Sequence, residues 1–275
     1  MILKTAWKNV WRNKIRSLVV ITSVTIGIFG GVFAVAVMNG AIDQRVDAAL
    51  NEEISHIQVN EETFRENQAL HMTLDSPGSL RSKISEIPDV EALTGRIITH
   101  GMANTANKST GVQINGIDPG QEKEVFHLHE QIIPGTGTYF EKELKSNQIF
   151  IGEALARELN IIRYIINEEF LDSLHRMEVP GNLISVLSDY KGTRFTSEEE
   201  FKKELQSVLT KEQVSRYGRL LTETAWSFRK RSRLTLTFLD ADNYQTGAMF
   251  RVAGIYDVKN NMFEKSQVFV QNEDL

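Results

Sequence analysis

His127-Leu128-His129 places two metal-ligand side chains one residue apart. On a strand both imidazoles fall on one face and could bind a metal ion. The plainer alternative is a solvent-facing pair, because neither a third histidine nor a carboxylate stands at ligand spacing. Glu198-Glu199-Glu200 gathers three carboxylates in a row, which reads as the acidic start of a helix, favoured by the helix dipole and solvated. Arg229-Lys230-Arg231 with Arg233 is the opposite case: a basic cluster that could meet anionic lipid heads or form a solvated helix end. Asn107-Lys108-Ser109 fits an N-glycosylation sequon, which matters only in a eukaryotic secretory route. There is no Walker loop, zincin motif, G-x-S-x-G elbow or Gly-rich dinucleotide fingerprint. The sequence therefore predicts no catalytic residue, no cofactor and no metal. The chain is not expected to be an enzyme, and any ATP hydrolysis belongs to another polypeptide.

The element that must position everything else is Leu18–Met38, an unbroken run without a charged side chain. As a helix it is roughly 31 Å long, matching the roughly 30 Å hydrocarbon core of a bilayer. Lys4, Lys8, Arg12, Lys14 and Arg16 precede it with no acid among them, whereas Asp43, Asp47, Glu52, Glu53, Glu61 and Glu62 follow. The positive-inside rule puts the N-terminus in the cytoplasm and everything after Met38 outside. The alternative is a cleaved signal peptide, for which Ala34-Val35-Ala36 offers a small-residue site. Against it, the apolar run is longer than a usual signal core and the preceding region carries two tryptophans.

The whole chain has 31 basic and 36 acidic residues. Removing the five N-terminal bases leaves 26 against 36, or −10, for the remainder. An external part this acidic is a poor candidate for binding nucleic acid. Cysteine is absent, which excludes disulfides and thiolate metal sites.

Within residues 1–16, Leu3, Trp7, Val10, Trp11 and Ile15 recur at helical spacing, with Lys4, Lys8, Arg12 and Asn13 on the other side. This predicts an interfacial helix with Trp7 and Trp11 at headgroup level, while Arg12, Lys14 and Arg16 complete the basic membrane anchor. Within the span, residues 17–40, Ser23, Gly27 and Gly31 share one face and would let a partner helix approach closely. Gly and Ser are also simply common in membrane helices.

Beyond the membrane, Ile42, Val46, Ala49 and Leu50 keep helical spacing, which extends the helix as a stalk. Ser55–Asn60 alternates polar and apolar and predicts a half-buried strand. A short helix, Leu80–Ile87, stops at Pro88. Val90–Ala103 and Gly111–Ile117 predict paired antiparallel strands, and Asn147–Ile151 a strand feeding a helix Glu153–Leu159 across Gly152. From about Ile162 to Lys230 strand signals vanish, and Phe201, Leu205, Val208 and Leu209 predict a helix. Residues 163–230 thus read as an inserted helical subdomain. It divides a mixed α/β domain into residues 41–162 and 231–275, the latter with strands Leu234–Leu239, Ala248–Val258 and Gln267–Val270 and turns at Ala241-Asp242-Asn243 and Lys259-Asn260-Asn261. The expected class is α+β: an interfacial helix, one transmembrane helix, then a mixed α/β external domain.

This arrangement resembles the first half of an FtsX-like ABC transporter permease, and most closely the periplasmic core domain of macrolide exporters of the MacB kind and lipoprotein-releasing permeases of the LolC/LolE kind. The residues that carry the resemblance are Ala6-Trp7-Lys8-Asn9-Val10-Trp11-Arg12-Asn13-Lys14 with Arg16-Ser17, then Asn115-Gly116-Ile117-Asp118-Pro119, Ile151-Gly152-Glu153-Ala154-Leu155-Ala156 and Phe250-Arg251-Val252-Ala253-Gly254-Ile255-Tyr256. It covers residues 1–162 and 231–275. In such relatives the helix runs almost directly into a strand like Leu234–Leu239, so 163–230 is extra. The family also continues past the position of Leu275 into three more membrane helices, a C-terminal permease region expected to be absent from this sequence, which leaves Gln267–Val270 as an edge strand.

The resemblance implies a membrane permease subunit, or a fragment of one, in a bacterial cytoplasmic membrane, with its main domain periplasmic or extracellular. Its implied partners are a cytoplasmic ABC ATPase, another permease subunit or a second copy, membrane lipid, and a lipoprotein or other amphipathic substrate. Two other classes stand beside it: a single-span receptor or anchored ligand-binding domain, and a cleaved secreted enzyme.

Overall fold

The computed structural model describes residue 7 and residues 12–67, 72–141, 147–239 and 244–275. The chain divides into two units, residues 1–56 and 57–275.

The first unit is dominated by helix α1, Lys14–Ala48. At 1.5 Å per residue its 35 residues extend roughly 52 Å, so the helix outruns the roughly 30 Å apolar core of a bilayer. No residue of α1 is buried. Phe29 is 69% exposed and Ile26 65%, on a surface continuous with Val19, Val32 and Val35. Soluble monomers rarely expose so long an apolar surface to water. The last turn widens into a π-helix, Ala49–Ile54, closed by the Ser55 N–H donating to the Leu50 carbonyl at 3.1 Å. Ser55–Asn60 then runs as coil, not strand. Its period-2 pattern buries nothing: Ile57 is 82% exposed.

The second unit begins with the short helices α2, Phe64–Asn67, and α3, Pro77–Ser85. Strands β1 (Ile97–Asn104), β2 (Ser109–Ile117), β3 (Gln148–Gly152), β7 (Arg233–Leu239), β8 (Gln245–Tyr256) and β9 (Gln267–Gln271) close a barrel in the order β1-β2-β9-β3-β8-β7. β2 pairs with β9 and β3 with β8 in parallel, and the remaining pairs are antiparallel. β9, expected at an edge, instead has a partner on each side. Closure leaves the barrel no strand edge to protect.

Alternation along β3 and β9, with a register shift in β8 between Val252 and Gly254, divides two cores. Ile149, Ile151, Val268, Val270 and Val252 join Leu155, Ala156 and Leu159 in one. Phe150, Phe269 and Tyr256, pointing the other way, join Leu128, Phe140 and Val258. Helix α4 (Pro119–Val125) follows β2, α5 (Glu153–Glu158) follows β3, and α10 (Asn261–Ser266) precedes β9.

Residues 162–228 form a third core of their own. Helices α6 (Glu168–Arg176), α7 (Gly181–Ser188), α8 (Glu198–Val208) and α9 (Lys211–Ala225) surround Phe170, Leu174, Leu183, Leu187, Phe201, Leu205 and Leu221. The segment is not purely helical. It carries a three-stranded antiparallel sheet, β5-β4-β6, made of β4 (Ile162–Ile165), β5 (Arg194–Phe195) and β6 (Trp226–Phe228). Phe201 of α8 stacks on Tyr164 and meets Phe195 edge-on, with ring centroids 5.4 and 5.3 Å apart. Such buried aromatic pairs add about 0.5–1.5 kcal/mol beyond area burial. Ile162 and Trp226 pack against both this core and that of the barrel.

Candidate functional site

The sequence motifs of the barrel domain are places where its strands are locked together. In Asn115-Gly116-Ile117-Asp118-Pro119, buried Asn115 donates from Nδ2 to Gln267 Oε1 at 2.8 Å and to the Val268 carbonyl at 3.2 Å, tying β2 to β9. Asp118 caps α4 by accepting from the Gly120 and Gln121 N–H groups, and Pro119 stands in the first turn, where its missing N–H costs nothing. That cap sets the direction in which α4 buries Glu122. Its carboxylate accepts from Arg96 Nη2 at 2.6 Å, Arg96 Nε at 2.9 Å and Thr94 Oγ1 at 3.1 Å. The Arg96 guanidinium lies 3.8 Å over the Phe126 ring. The neighbouring Tyr139 hydroxyl is held far above its ordinary titration range by burial and by the Glu122 charge.

In Ile151-Gly152-Glu153-Ala154, a Cβ on Gly152 would stand 2.4–2.6 Å from the backbone and Cβ of Glu264. The contact brings the Glu264 carboxylate, itself 5% exposed, onto the Ala154 N–H at 3.0 Å and the Val258 N–H at 2.7 Å. In Phe250–Tyr256, a Cβ on Gly254 would stand 2.8 Å from the Thr138 carbonyl, so the glycine admits the Thr138 backbone against β8. None of the three motifs presents a nucleophile or a general base to an open cleft. Their roles are positional.

The dyad His127/His129 lies on a 3₁₀ turn, His127–Glu130, rather than a strand, so the two rings do not share a face by alternation. His129 Nδ1 sits 3.2 Å from the Phe126 carbonyl, and its ring packs 5.8 Å from Tyr139. Among the described residues no group of three His, Asp or Glu side chains is placed to hold a metal ion. Glu198–Glu200 does open a helix: Ser197 caps α8 by accepting from the Glu200 N–H, and Glu200 reaches back to the Thr196 N–H and hydroxyl at 2.9 Å. These bonds hold the Glu200 carboxyl below its ordinary range. Arg229-Lys230-Arg231 is not a helix end. It follows β6, and Arg229 donates to the Ile162 and Thr196 carbonyls at 2.9 and 3.1 Å. An open groove of about 510 Å³ runs between α8 and α9, floored by Leu205 and Val214. Its rim charges are matched within each helix, Glu198 with Lys202 and Arg219 with Glu223.

On α1, Ser23, Gly27 and Gly31 are exposed, and a Cβ on Gly27 or Gly31 would meet nothing within 4 Å. Lys14 and Arg16 lie in the first turn and Arg12 just before it, all exposed. Trp7 is 67% exposed, whereas residues 1–6 and 8–11 of the expected interfacial helix, Trp11 among them, lie outside the described residues, as does the turn Ala241–Asn243.

An apolar helix long enough to cross a bilayer, followed in the chain by a barrel-centred α/β domain that matches a permease family, defines a membrane protein of the transporter-permease class. The model of the MacB-like periplasmic core domain matches residues 17–194, and the chain belongs to that family. The family is a permease domain of ABC transporters, not a classical enzyme. The match takes in α1, β1–β4 and the helices up to α7. No curated protein matches the chain.

Proposed function

We propose that the protein is a membrane permease subunit that mechanically couples a cytoplasmic ABC ATPase to its outer domain, which handles a lipoprotein or another amphipathic substrate. The observation that carries this is the continuity of α1: 35 residues of helix pass without a break from a basic start, through the apolar span, into a stalk. A continuous helix transmits displacement along its axis, which a flexible tether does not. The N-terminus is cytoplasmic and the outer domain periplasmic or extracellular, in a bacterial cytoplasmic membrane. Trp7, Trp11, Arg12, Lys14 and Arg16 anchor the inner end. Lys14 and Arg16 oppose the positive end of the helix dipole, at about 0.3–1 kcal/mol each for exposed charges. Anionic headgroups at the inner leaflet offset that cost.

Ser23, Gly27 and Gly31 form the face on which another permease subunit, or a second copy, packs. Residues 163–230 are an insertion into the core domain; in support, 162–228 have their own sheet and core. A reporter enzyme active only outside the cytoplasm, fused after Leu275, should be active, and the chain should resist carbonate extraction from membranes. A fusion whose reporter stays inactive, or a mature product starting near Val37, would overturn the proposal.

A further inference from the structure

We infer that the face of the small sheet opposite its aromatic core is an oxyanion-binding surface, on which Arg163, Arg194 and Arg229, with the Ser227 hydroxyl, take a phosphate group. The sheet register assembles these residues. Tyr164 pairs with Phe195 and Trp226, which sends these three rings to the core side, while Ile162 pairs with Phe228, which joins the barrel core. By alternation Arg163, its partner Ser227, and Arg194, the partner of Ile165, face the other way. Arg229 stands two residues beyond Ser227 and crosses the sheet, donating from Nε to the Ile162 carbonyl and from Nη2 to the Thr196 carbonyl. Its guanidinium therefore lies beside Arg163. Arg163 donates from Nε to Ser227 Oγ at 3.3 Å, and its remaining donors have no protein acceptor among the described residues.

No carboxylate pairs with any of these three arginines among the described residues, although 36 acidic residues are available in the sequence. Acids pair readily with neighbours: Glu141 approaches Arg231 at 3.6 Å, and Glu198 binds Lys202 on α8. Arg163 and Arg229 are half-buried, which strengthens their mutual repulsion relative to charges in open water. In keeping with this, burial and then the Arg194 and Arg229 charges hold the Arg163 guanidinium below its ordinary value, though it remains cationic. Three convergent guanidinium forks with spare N–H donors match the oxygens of a phosphate, which accepts several charge-assisted hydrogen bonds at once.

The phosphate could be a free anion or the headgroup of a lipid, and soluble probes separate the two. The whole chain, held in nanodiscs of uncharged phosphatidylcholine, is titrated calorimetrically with inorganic phosphate and with glycerophosphoglycerol, a headgroup phosphodiester. Saturable, salt-sensitive binding of inorganic phosphate is expected, about tenfold or more weaker in Arg194→Gln and in Arg163→Gln. Lys230→Gln, an exposed neighbour outside the cluster, should bind as the parent does. The Arg194 side chain makes no hydrogen bond among the described residues, so Arg194→Gln should leave the thermal midpoint unchanged or raise it by relieving repulsion. Glycerophosphoglycerol displacing phosphate would assign the site to lipid headgroups, and phosphate binding alone would assign it to a free phosphate. Absence of saturable binding by both probes, or an equal loss in Lys230→Gln, would overturn the inference.

Discussion

Gly152→Ala adds one methyl group where there is no room for it. The new Cβ would lie 2.4 Å from the Glu264 carbonyl oxygen, 2.5 Å from its Cα and 2.6 Å from its Cβ. Two of these atoms are backbone, so a rotamer change cannot clear them, and α10 must move away from α5. Overpacking of this kind costs about 1–3 kcal/mol. The displacement also withdraws the Glu264 carboxylate from the Ala154 and Val258 N–H groups, bonds of the charge-assisted type worth about 1.5–3 kcal/mol each. Losing one bond and weakening the other brings the total to roughly 3–5 kcal/mol. For a domain of about 200 residues, at about 2–4 °C per kcal/mol, the outer-domain midpoint should fall by roughly 6–20 °C. The comparison is Gly78→Ala, where an added Cβ meets nothing within 4 Å. Differential scanning calorimetry of the whole chain in detergent would measure both. A shift below about 2 °C for Gly152→Ala, or an equal shift in Gly78→Ala, would refute the steric argument.

Burial raises the Glu264 pKa above its ordinary value of 4.5, with the two backbone N–H bonds opposing that rise only in part. A carboxyl raised on folding contributes stability that is complete below the unfolded value and lost as pH climbs through the folded one. The outer domain of the parent should therefore lose stability relative to Glu264→Gln as pH rises from about 4.5 towards neutrality. Parallel pH–midpoint curves for the two proteins would count against this assignment. On α1, Gly27→Ile fills the small-residue face while keeping the helix apolar, so insertion should persist while recovery of partner helices in a detergent pull-down falls several-fold. Undiminished recovery would remove Ser23, Gly27 and Gly31 from the packing role.

Local signals reported the long and self-contained elements. α1 was legible because its apolar run is set by the bilayer it must match, and α8 because Phe201, Leu205 and Leu209 all bury one stripe. The strands of residues 162–228 were not legible. β5 has two residues and β6 three, too short for a period to emerge, and β4 acquires both partners from segments about 30 and 60 residues away. Ser55–Asn60 shows the converse failure: alternation supplies a face, but only a neighbouring strand turns a face into a ladder. β9 was expected at an edge because the resembled family covers it with later sequence; the partner it finds instead, β3, lies more than 100 residues earlier, and only barrel closure brings the two together.

The same distinction separates the two kinds of candidate site. Gly152 was visible as a motif residue, yet its cause is Glu264, on a helix 112 positions later that the sequence gives no reason to place there. One of the three arginines of the cluster was visible in Arg229-Lys230-Arg231, but a run of bases in one dimension cannot say which of them converge. The sheet makes that selection. It turns Arg229 inward across β4, gives Arg231 to Glu141, and recruits Arg163 and Arg194 from strands on either side of α6 and α7. A basic run on a solvated helix end would have scattered its charges around an axis, where water screens each one separately. A sheet holds side chains of one face about 5 Å apart, so the same residue types become a concentrated field whose strength depends on register. A one-residue slip of β5 against β4 would send Arg194 to the aromatic core and Phe195 to the surface. The core that fixes the register of the small sheet thereby also fixes the geometry of its charged face.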